Sequence, residues 1–495
     1  MIDARTLCPL ALWVVGFVGA RRLVRGARGP PVLAHLEAVG LAPAIGALLA
    51  PTSYFFAAAV TDRGVTRTSW TIAFAVVVAA SAVLTHRRGA VAGAAPPATR
   101  TASPAVIVAA CVLVLVLATL IAVELDLLPL WPHGQWDAQA IWNARARLLT
   151  RADGDWSERL HSFGLGHPDY PLLLPATVAT CWMWSGTESV VYPQALAALF
   201  ILGLALLVFT TAWRLGGPLA AALATPLVVW SPPVVLVGLA QYADVPLALF
   251  LLAAWGGLAS LRMEGARGRA SALATGAALG GLAWTKNEGI LWAALLAGTW
   301  AAAEAARHRG QAVRRSLGSL LRGAAPALVA LVLFKVSWSP TNDVMRDMGE
   351  GLLGNLASWE RWRTTLGSVS RELALGTSLE SWRDIFAGRP LSPEAANWAG
   401  VWLALGAAFV LGVRLRGLAG ARDLAYGACS LGAIVVAIVL VYVVTPRDQA
   451  WHIKTSMTRL FLQAYPAIVV VVVSAVVRSR EKPAASETPR EPMAA

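Results

Sequence analysis

The chain alternates between long apolar runs and short polar loops, a pattern typical of a bundle of membrane-spanning helices. About thirteen runs approach the roughly 20 apolar residues with which a helix crosses a bilayer. In lipid such runs must be helical, because a helix satisfies its backbone hydrogen bonds internally. The predicted spans are residues 7–20, 32–60, 68–85, 104–125, 190–213, 218–239, 246–261, 273–284, 290–303, 324–338, 398–413, 424–444 and 460–477. We therefore expect an all-α, polytopic membrane protein.

The composition of the 495-residue chain agrees with this pattern. Hydrophobic residues make up 57% of the chain and charged residues only 14%, whereas soluble domains contain about 25% charged residues. The net charge of +13 is interpreted as the charge of cytoplasmic loops and not as a nucleic-acid-binding surface. Cys8, Cys111, Cys181 and Cys429 are scattered, and with no metal or redox spacing we expect them to pack as small apolar side chains.

The orientation follows from the loops that carry Lys and Arg. With the spans above, the basic loops at residues 21–28, 87–100, 214, 262–269, 307–322, 414–422 and 478–482 all lie on one side. The positive-inside rule makes that side cytoplasmic. The apolar stretch 172–184 is short and contains Pro175. A full crossing there would reverse the side of every later loop, so we expect a juxtamembrane or re-entrant helix with both ends outside.

Asp137 is the first candidate for chemistry in the external loop 126–171. It directly precedes a run in which Ile141, Trp142 and Arg145 share one helical face. Two interpretations stay open and can coexist: Asp137 caps that helix, where Asp is preferred, or its carboxylate accepts a proton from a substrate. The neighbouring Trp136 is either a residue of the interfacial aromatic belt or a stacking surface for a sugar.

A second polar cluster, His-Pro-Asp-Tyr-Pro at residues 167–171, follows in the same loop. Its two prolines restrict the backbone and hold Asp169 between them. The cluster is either a rigid turn into the next helix or the source of a second acid for a metal, an acceptor or proton transfer. His167 is correspondingly either a metal ligand or a hydrogen-bonded loop residue.

Basic residues also occur on the predicted external side. Lys286 and Glu288 lie between two apolar runs, where ionisable residues are costly and function is the default hypothesis. The alternative is that Lys286 snorkels to the interface and Glu288 caps the next helix. Lys454 and Arg459 precede the last span and are candidates for a phosphate-binding pair, or for attachment to lipid headgroups. Lys335, near the outer end of its span, is interpreted as a snorkelling residue.

Four stretches, taken together, resemble bacterial GT-C membrane glycosyltransferases of the lipopolysaccharide-core type, which are related to protein mannosyltransferases and lipid A aminoarabinose transferases. They are Gly-Gln-Trp-Asp-Ala-Gln-Ala-Ile-Trp at 134–142, His-Pro-Asp-Tyr-Pro-Leu-Leu-Leu-Pro at 167–175, Thr-Lys-Asn-Glu-Gly at 285–289 and Trp-His…Arg-Leu at 451–460. The resemblance covers roughly residues 104–477. It implies a GT-C-like bundle with external juxtamembrane helices.

The resemblance also implies a reaction. The donor would be a polyprenyl-phosphate-linked sugar and the acceptor a glycan, lipid or protein, with inverting transfer on the outer face of the bacterial cytoplasmic membrane. In the family an acid of the first large external loop is the general base, and Asp137 matches it. Members often carry two adjacent acids, whereas Ala138 follows here. This departure leaves open whether a divalent metal takes part and whether Asp169 supplies the second acid.

The remaining site residues and domains follow from the same interpretation. Residues 1–103 would form N-terminal helices of unassigned role, 104–477 the catalytic domain with an external insert at 339–397, and 478–495 a disordered cytoplasmic tail. Contacts to the donor phosphate are expected from Lys286, Lys454 and Arg459, and contacts to substrate from Trp136, His167, Tyr170, Glu288 and His452. Two other classes stay open, namely a lipid or polysaccharide transporter or flippase and a non-catalytic protein of the same fold.

Overall fold

The computed structural model describes residues 8–24, 30–61, 65–86, 103–151, 156–162, 166–264, 269–308, 311–341, 351–375, 398, 401–416 and 422–478. All regular structure in these ranges is helical, with no strand. A 3-10 turn at Leu128–Leu130 and π-helical segments at Ala138–Trp142 and Phe334–Trp338 accompany the α-helices. These are α1 (Cys8–Leu23), α2 (Pro31–Val60), α3 (Arg67–His86), α4 (Pro104–Leu127), α5 (Asn143–Arg151), α6 (Trp156–Ser162), α7 (Leu173–Ser185), α8 (Val191–Val229), α9 (Pro232–Leu239), α10 (Asp244–Glu264), α11 (Arg269–Thr285), α12 (Asn287–His308), α13 (Gln311–Leu333), α14 (Leu352–Ala357), α15 (Trp359–Leu375), α16 (Val401–Arg416), α17 (Arg422–Val444) and α18 (Gln449–Arg478).

Eight helices in the described ranges are long and apolar enough to cross a bilayer, namely α2, α4, α8, α10, α12, α13, α17 and α18. Helices α1 and α16 have 16 residues and α11 has 17, which gives about 25 Å against a hydrocarbon core of roughly 30 Å. Helix α8 joins two predicted spans across the non-helical residue Gly217. The predicted helical class is therefore confirmed, whereas the predicted number of spans is not.

Ion pairs identify two opposite ends of the bundle. Arg214 of α8 donates from Nη1 to Oε1 of Glu37 in α2 at 2.7 Å. Arg262, near the end of α10, lies 3.1 Å from Glu304, near the end of α12. We call this the basic end. The site end is the opposite one, where α10 begins at Asp244.

Helices α8, α10 and α18 form the centre of the bundle, whereas α4 lies at its rim. Leu462 and Tyr465 of α18 are fully buried. Val114 and Leu125 of α4 are more than half exposed, which fits an apolar helix that contacts lipid over much of its surface. Central helices are surrounded by protein, so they are the ones that can carry charged side chains without exposing them to lipid.

The N-terminal helices pack against the rest of the bundle through α2. Near the site end of α2, the ring of Phe55 lies 5.2 Å from that of Trp284, 5.6 Å from Trp338 and 5.9 Å from Trp156, between ring centroids. Trp284 immediately precedes the polar segment that begins at Thr285. Helix α2 thus supports a segment that carries candidate site residues, although it lies in the predicted N-terminal unit.

Two regions predicted to be external contain helices. Helix α7 covers most of the stretch 172–184, and its 13 residues extend about 20 Å, less than a bilayer crossing requires. In the predicted insert 339–397 the described helices are α14 and α15, and residues 342–350 and 376–397 lie outside the described residues. The tail beyond Arg478 also lies outside them.

The close contact between α1 and α2 generates a test of the packing. A Cβ atom added at Gly16 would lie 2.0 Å from the carbonyl oxygen of Ala42, so Gly16→Ala must push the two helices apart. We expect the free energy of unfolding to fall by roughly 1–3 kcal/mol, measured as a lower melting temperature of the detergent-purified protein. Gly298→Ala is the control, because no atom lies within 4 Å of its added Cβ. Equal melting temperatures for the two variants would contradict this packing.

Candidate functional site

Charged side chains from four distant parts of the chain meet at the site end. Asp137 comes from the loop 126–171, Asp244 from the start of α10, Lys286 and Glu288 from the junction of α11 and α12, and Arg459 from α18. We call these five residues the central cluster. Four of them were predicted as site residues, and the structure places those four in contact through Asp244.

Asp244 is the centre of this cluster. Its carboxylate is fully buried and accepts hydrogen bonds from Lys286 Nζ at 3.1 Å, from Arg459 Nε at 3.1 Å and from Gln463 Nε2 at 2.7 Å. Trp292 Nε1 donates to Gln463 Oε1 at 2.7 Å, which fixes the orientation of the amide. Because a buried charge is tolerated only when it is paired and hydrogen-bonded, Asp244 and the two cations depend on one another.

Arg459 connects Asp244 to the external loop. Its Nη2 donates to Oδ2 of Asp137, while its guanidinium carbon lies 4.5 Å from the centroid of the Tyr242 ring. The guanidinium is therefore held at its edges by two carboxylates and on its face by an aromatic ring. Such a fork can bind two anionic groups at once.

The side chain of Asp137 does not cap the helix that begins beside it. The residue has helical dihedral angles, φ −63° and ψ −36°, and its side chain makes no capping hydrogen bond. A helix N-cap needs non-helical dihedral angles and a side-chain bond to the backbone, so the capping interpretation is wrong. The carboxylate is bound to Arg459 and 17% exposed, and Trp136 beside it is 59% exposed.

A backbone contact explains why Asp137 lies near Asp244. Gly134 has φ +70°, and a Cβ atom there would lie 2.6 Å from the carbonyl oxygen of Ala240. The amide of Gln135 donates to that same oxygen at 3.1 Å. Only glycine combines this dihedral angle with so close an approach. The loop is thereby attached to the turn that leads into Asp244.

Lys286 is held between two acids. It lies 3.1 Å from Asp244 and 3.4 Å from Glu288, and its Nζ lies 5.8 Å from the centroid of the Tyr170 ring. Burial alone would lower the pKa of Lys286, but Asp244 and Glu288 more than offset burial, so the pKa is raised. Lys286 therefore stays protonated at neutral pH. It is a fixed cation within the protein, which contradicts the alternative that it snorkels to the interface.

Tyr170 borders the central cluster. Its hydroxyl donates to Glu288 Oε1 at 3.5 Å, and its ring stacks on His167 at 4.6 Å and on Trp142 at 5.9 Å. Burial, followed by the charges of Glu288 and Asp169, raises the pKa of Tyr170 well above its usual value. The phenol therefore remains a hydrogen-bond donor at any physiological pH.

Asp169 belongs to a second group, the loop cluster, with Arg145, Asn287 and Lys335. Its Oδ2 accepts from Asn287 Nδ2 at 2.7 Å and lies 3.3 Å from Lys335 Nζ, which also donates to Asn287 Oδ1 at 2.9 Å. Lys335 is directed into the protein, so its interpretation as a snorkelling residue is wrong. Asp169 is fully buried, and these contacts fix the loop that carries it.

Arg145 completes the loop cluster from α5. Its guanidinium donates to the carbonyl oxygens of Gly166 at 2.6 Å and Tyr170 at 3.4 Å, and also to that of His167. Burial lowers the pKa of Arg145 to about 10, which leaves it protonated at neutral pH. A single cation thus holds three backbone carbonyls of the loop that carries Tyr170.

Two further predicted residues, Lys454 and His452, lie on α18. Lys454 is exposed, and five residues separate it from Arg459, which corresponds to about 140° around a helix. The two side chains therefore point in different directions. His452 Nδ1 lies 2.9 Å from Thr445 Oγ1, and its ring contacts Tyr442 at 5.1 Å.

The acids of the cluster are occupied by cations of the protein. In the described part of the chain, no group of three or more His, Cys, Asp and Glu side chains is placed to hold a metal ion. Asp137, Asp244 and Glu288 instead contact Arg459 or Lys286. The arrangement can bind an anion that competes for the cations, and it can accept a proton at a carboxylate released from its cation.

Sequence reasoning missed Asp244, Asn287 and Gln463. Asp244 stands at the start of the apolar helix α10, and an acid in that position was the available signal. Gln463 lies within an apolar span, where an amide indicates a buried hydrogen bond.

No family model matches the chain, and no characterised protein or solved structure shows significant similarity to it.

The contacts of Asp244 predict its role in stability. Asp244→Asn leaves two buried cations without their shared carboxylate, and breaking a buried pair in this way costs about 3–5 kcal/mol. We expect a marked fall in the melting temperature of the purified protein. Asp126→Asn is the matched control, because Asp126 is exposed near the end of α4. If both variants melted at the wild-type temperature, Asp244 would not hold the cluster together.

Proposed function

We propose that this protein is a membrane glycosyltransferase. It transfers a sugar from a polyprenyl-phosphate donor to a hydroxyl acceptor, with Asp137 as general base. The observation that supports this most directly is the convergence of Asp137, Lys286 and Arg459 on Asp244 from distant parts of the chain. A base and two cations side by side are the groups that attack by a hydroxyl and departure of a phosphate require.

The reaction forms one bond and breaks another at the anomeric carbon. The acceptor oxygen attacks that carbon while its proton passes to the carboxylate of Asp137. The bond from the anomeric carbon to the phosphate oxygen breaks, and the lipid phosphate leaves with the electron pair. Arg459 and Lys286 stabilise the negative charge that develops on the leaving oxygen. The long lipid tail of the donor accounts for an enzyme of a polar sugar that lies in the membrane.

The pairing of Asp137 with Arg459 determines the order of donor binding and acceptor activation. Oδ2 of Asp137 accepts a hydrogen bond from Arg459, and while it does so that oxygen cannot take a proton from the acceptor. The donor phosphate also fits the fork of Arg459 and competes with Asp137 for it. Its arrival draws Arg459 away from Asp137, and the base becomes free only when the donor is present. In this mechanism the donor binds before the acceptor is activated.

The charge balance of the site end supports this exchange. Four carboxylates, Asp137, Asp169, Asp244 and Glu288, face four cations, Arg145, Lys286, Lys335 and Arg459. Within these two clusters each cation therefore lies next to an acid. A phosphate that binds inside them takes over a cation that already has a partner, and Asp137 is the partly exposed carboxylate next to Arg459.

The proposed side of the membrane follows from the basic end. Arg21, Arg22, Arg214 and Arg262 lie in the loops or helix ends opposite Asp244. Since positive charge is retained in the cytoplasm, the central cluster faces outward from a bacterial cytoplasmic membrane. A transporter would place its polar groups near the middle of the bilayer between repeated halves, whereas this cluster lies at one end, which favours the enzyme.

The first functional prediction concerns Asp137 as a base. Asp137→Asn should lower transfer from a polyprenyl-phosphate sugar by about 10²–10⁴-fold, the usual contribution of a general base. Membranes that contain equal amounts of each variant are assayed by mass spectrometry of the glycan, lipid and protein fractions. Asp126→Asn serves as the control and should keep wild-type transfer. Unchanged product in the Asp137 variant would remove its assignment as base.

The second functional prediction concerns binding and not turnover. Asp137→Asn removes the carboxylate that competes for Arg459, so a sugar-free polyprenyl phosphate should bind about tenfold more tightly than to the wild type. Titration of the purified protein measures this affinity, and Arg459→Gln should weaken it in parallel. Weaker or unchanged binding to the Asn variant would exclude the exchange of Arg459 between carboxylate and phosphate.

A further inference from the structure

A second polar site lies at the basic end, far along the helices from the central cluster. Five helices, α1, α2, α8, α10 and α11, line a recess of about 60 Å³ that is open on one side. Its apolar wall includes Leu23, Leu41, Leu207 and Leu215. Its polar residues are Glu37, Thr211, Arg214, Ser260, Ser271 and Thr275. We call it the basic-end recess.

The ion pair of Arg214 and Glu37 is the main polar feature of the recess. Nη1 of Arg214 donates to Oε1 of Glu37 at 2.7 Å, and Nη2 contacts Oε2. The side chains are 18% and 13% exposed, so both reach the recess and neither is fully buried. Ionisable groups within membrane-spanning helices are costly and mark binding sites more often than packing. A bidentate pair also presents a positive and a negative group one hydrogen bond apart.

We propose that the basic-end recess binds a phosphoethanolamine headgroup. The phosphate would contact Arg214, and the primary ammonium would donate to Glu37 and to the neighbouring hydroxyl oxygens. The recess carries one positive and one negative side chain, so the matching ligand carries one negative and one positive group a few bonds apart. Its apolar wall then contacts the first carbons of the acyl chains.

The same chemistry excludes related headgroups. A choline headgroup has no N–H and cannot donate to Glu37 or to Ser260 and Ser271. A phosphoglycerol headgroup has no cation, so its binding would leave Glu37 beside a second negative group. The hydroxyl of Thr275 donates to the carbonyl oxygen of Ser271 at 2.7 Å, and its oxygen can still accept a hydrogen bond from an ammonium. The recess therefore distinguishes these lipids by whether the headgroup carries an ammonium group that can donate hydrogen bonds.

This site gives the first two helices a role. Leu23 belongs to α1, and Glu37 and Leu41 belong to α2, so the recess would lose two walls without them. Its position among the basic residues places it at the leaflet opposite the central cluster. The proposal concerns lipid binding at this leaflet and does not depend on the reaction proposed for Asp137.

The experiment is native mass spectrometry of the full-length protein with added lipids of identical acyl chains. Phosphatidylethanolamine should bind about tenfold more tightly than phosphatidylcholine or phosphatidylglycerol, a difference typical of one charge-assisted hydrogen bond. Glycerophosphoethanolamine, which is water-soluble, should displace it, and glycerophosphocholine should not. The double variant Glu37→Gln/Arg214→Gln should lose the preference, and Arg314→Gln, a change of charge at an exposed position of α13, should retain it.

A second variant keeps the test decisive if the double variant does not fold. Ser271→Leu leaves the ion pair intact and fills part of the recess, so it should reduce phosphatidylethanolamine binding about tenfold while the melting temperature in detergent stays near that of the wild type. No preference among the three lipids would overturn the proposal. So would wild-type binding by Ser271→Leu, or a failure of glycerophosphoethanolamine to displace the lipid.

Discussion

The structure depends on one buried carboxylate that holds two cations. The buried carboxylate of Asp244 accepts hydrogen bonds from Lys286, Arg459 and, as third donor, Gln463. Each of these charges would be costly to bury alone. Together they connect α10, α18 and the junction of α11 and α12, helices that are far apart in sequence. The same contacts hold Arg459 where it meets Asp137, so the arrangement that stabilises the bundle also prepares the site.

Much of this architecture can be predicted from local patterns in the sequence. Apolar runs of the right length predict helices, because lipid offers backbone groups no alternative, and the helical class follows. The polar stretches around Asp137, Tyr170, Lys286 and Arg459 stood out because charged and aromatic residues are rare in such a chain. The predicted spans between these stretches were enough to assign all of them to the same side of the membrane. The structure brings these residues together at one end.

Other features could not be predicted because they depend on contacts distant in sequence. Asp244 looks like an ordinary acid at a helix start until Lys286 and Arg459 are placed against it. Lys335 looks like a snorkelling residue until Asp169 is found buried beside it. The number of spans was uncertain for a physical reason as well, since helices of 16 or 17 residues can lie inside a bundle without covering the full thickness of the bilayer.

The irregular backbone near the site has a physical explanation. The π-helical segment Ala138–Trp142 directly follows Asp137, and the segment Phe334–Trp338 carries Lys335. π-helical turns are rare and occur frequently at functional sites. Within a membrane, irregular backbone is tolerated only where protein or water surrounds it. Both segments lie beside the charged clusters, and the second carries Lys335, whose Nζ lies 3.3 Å from Oδ2 of Asp169.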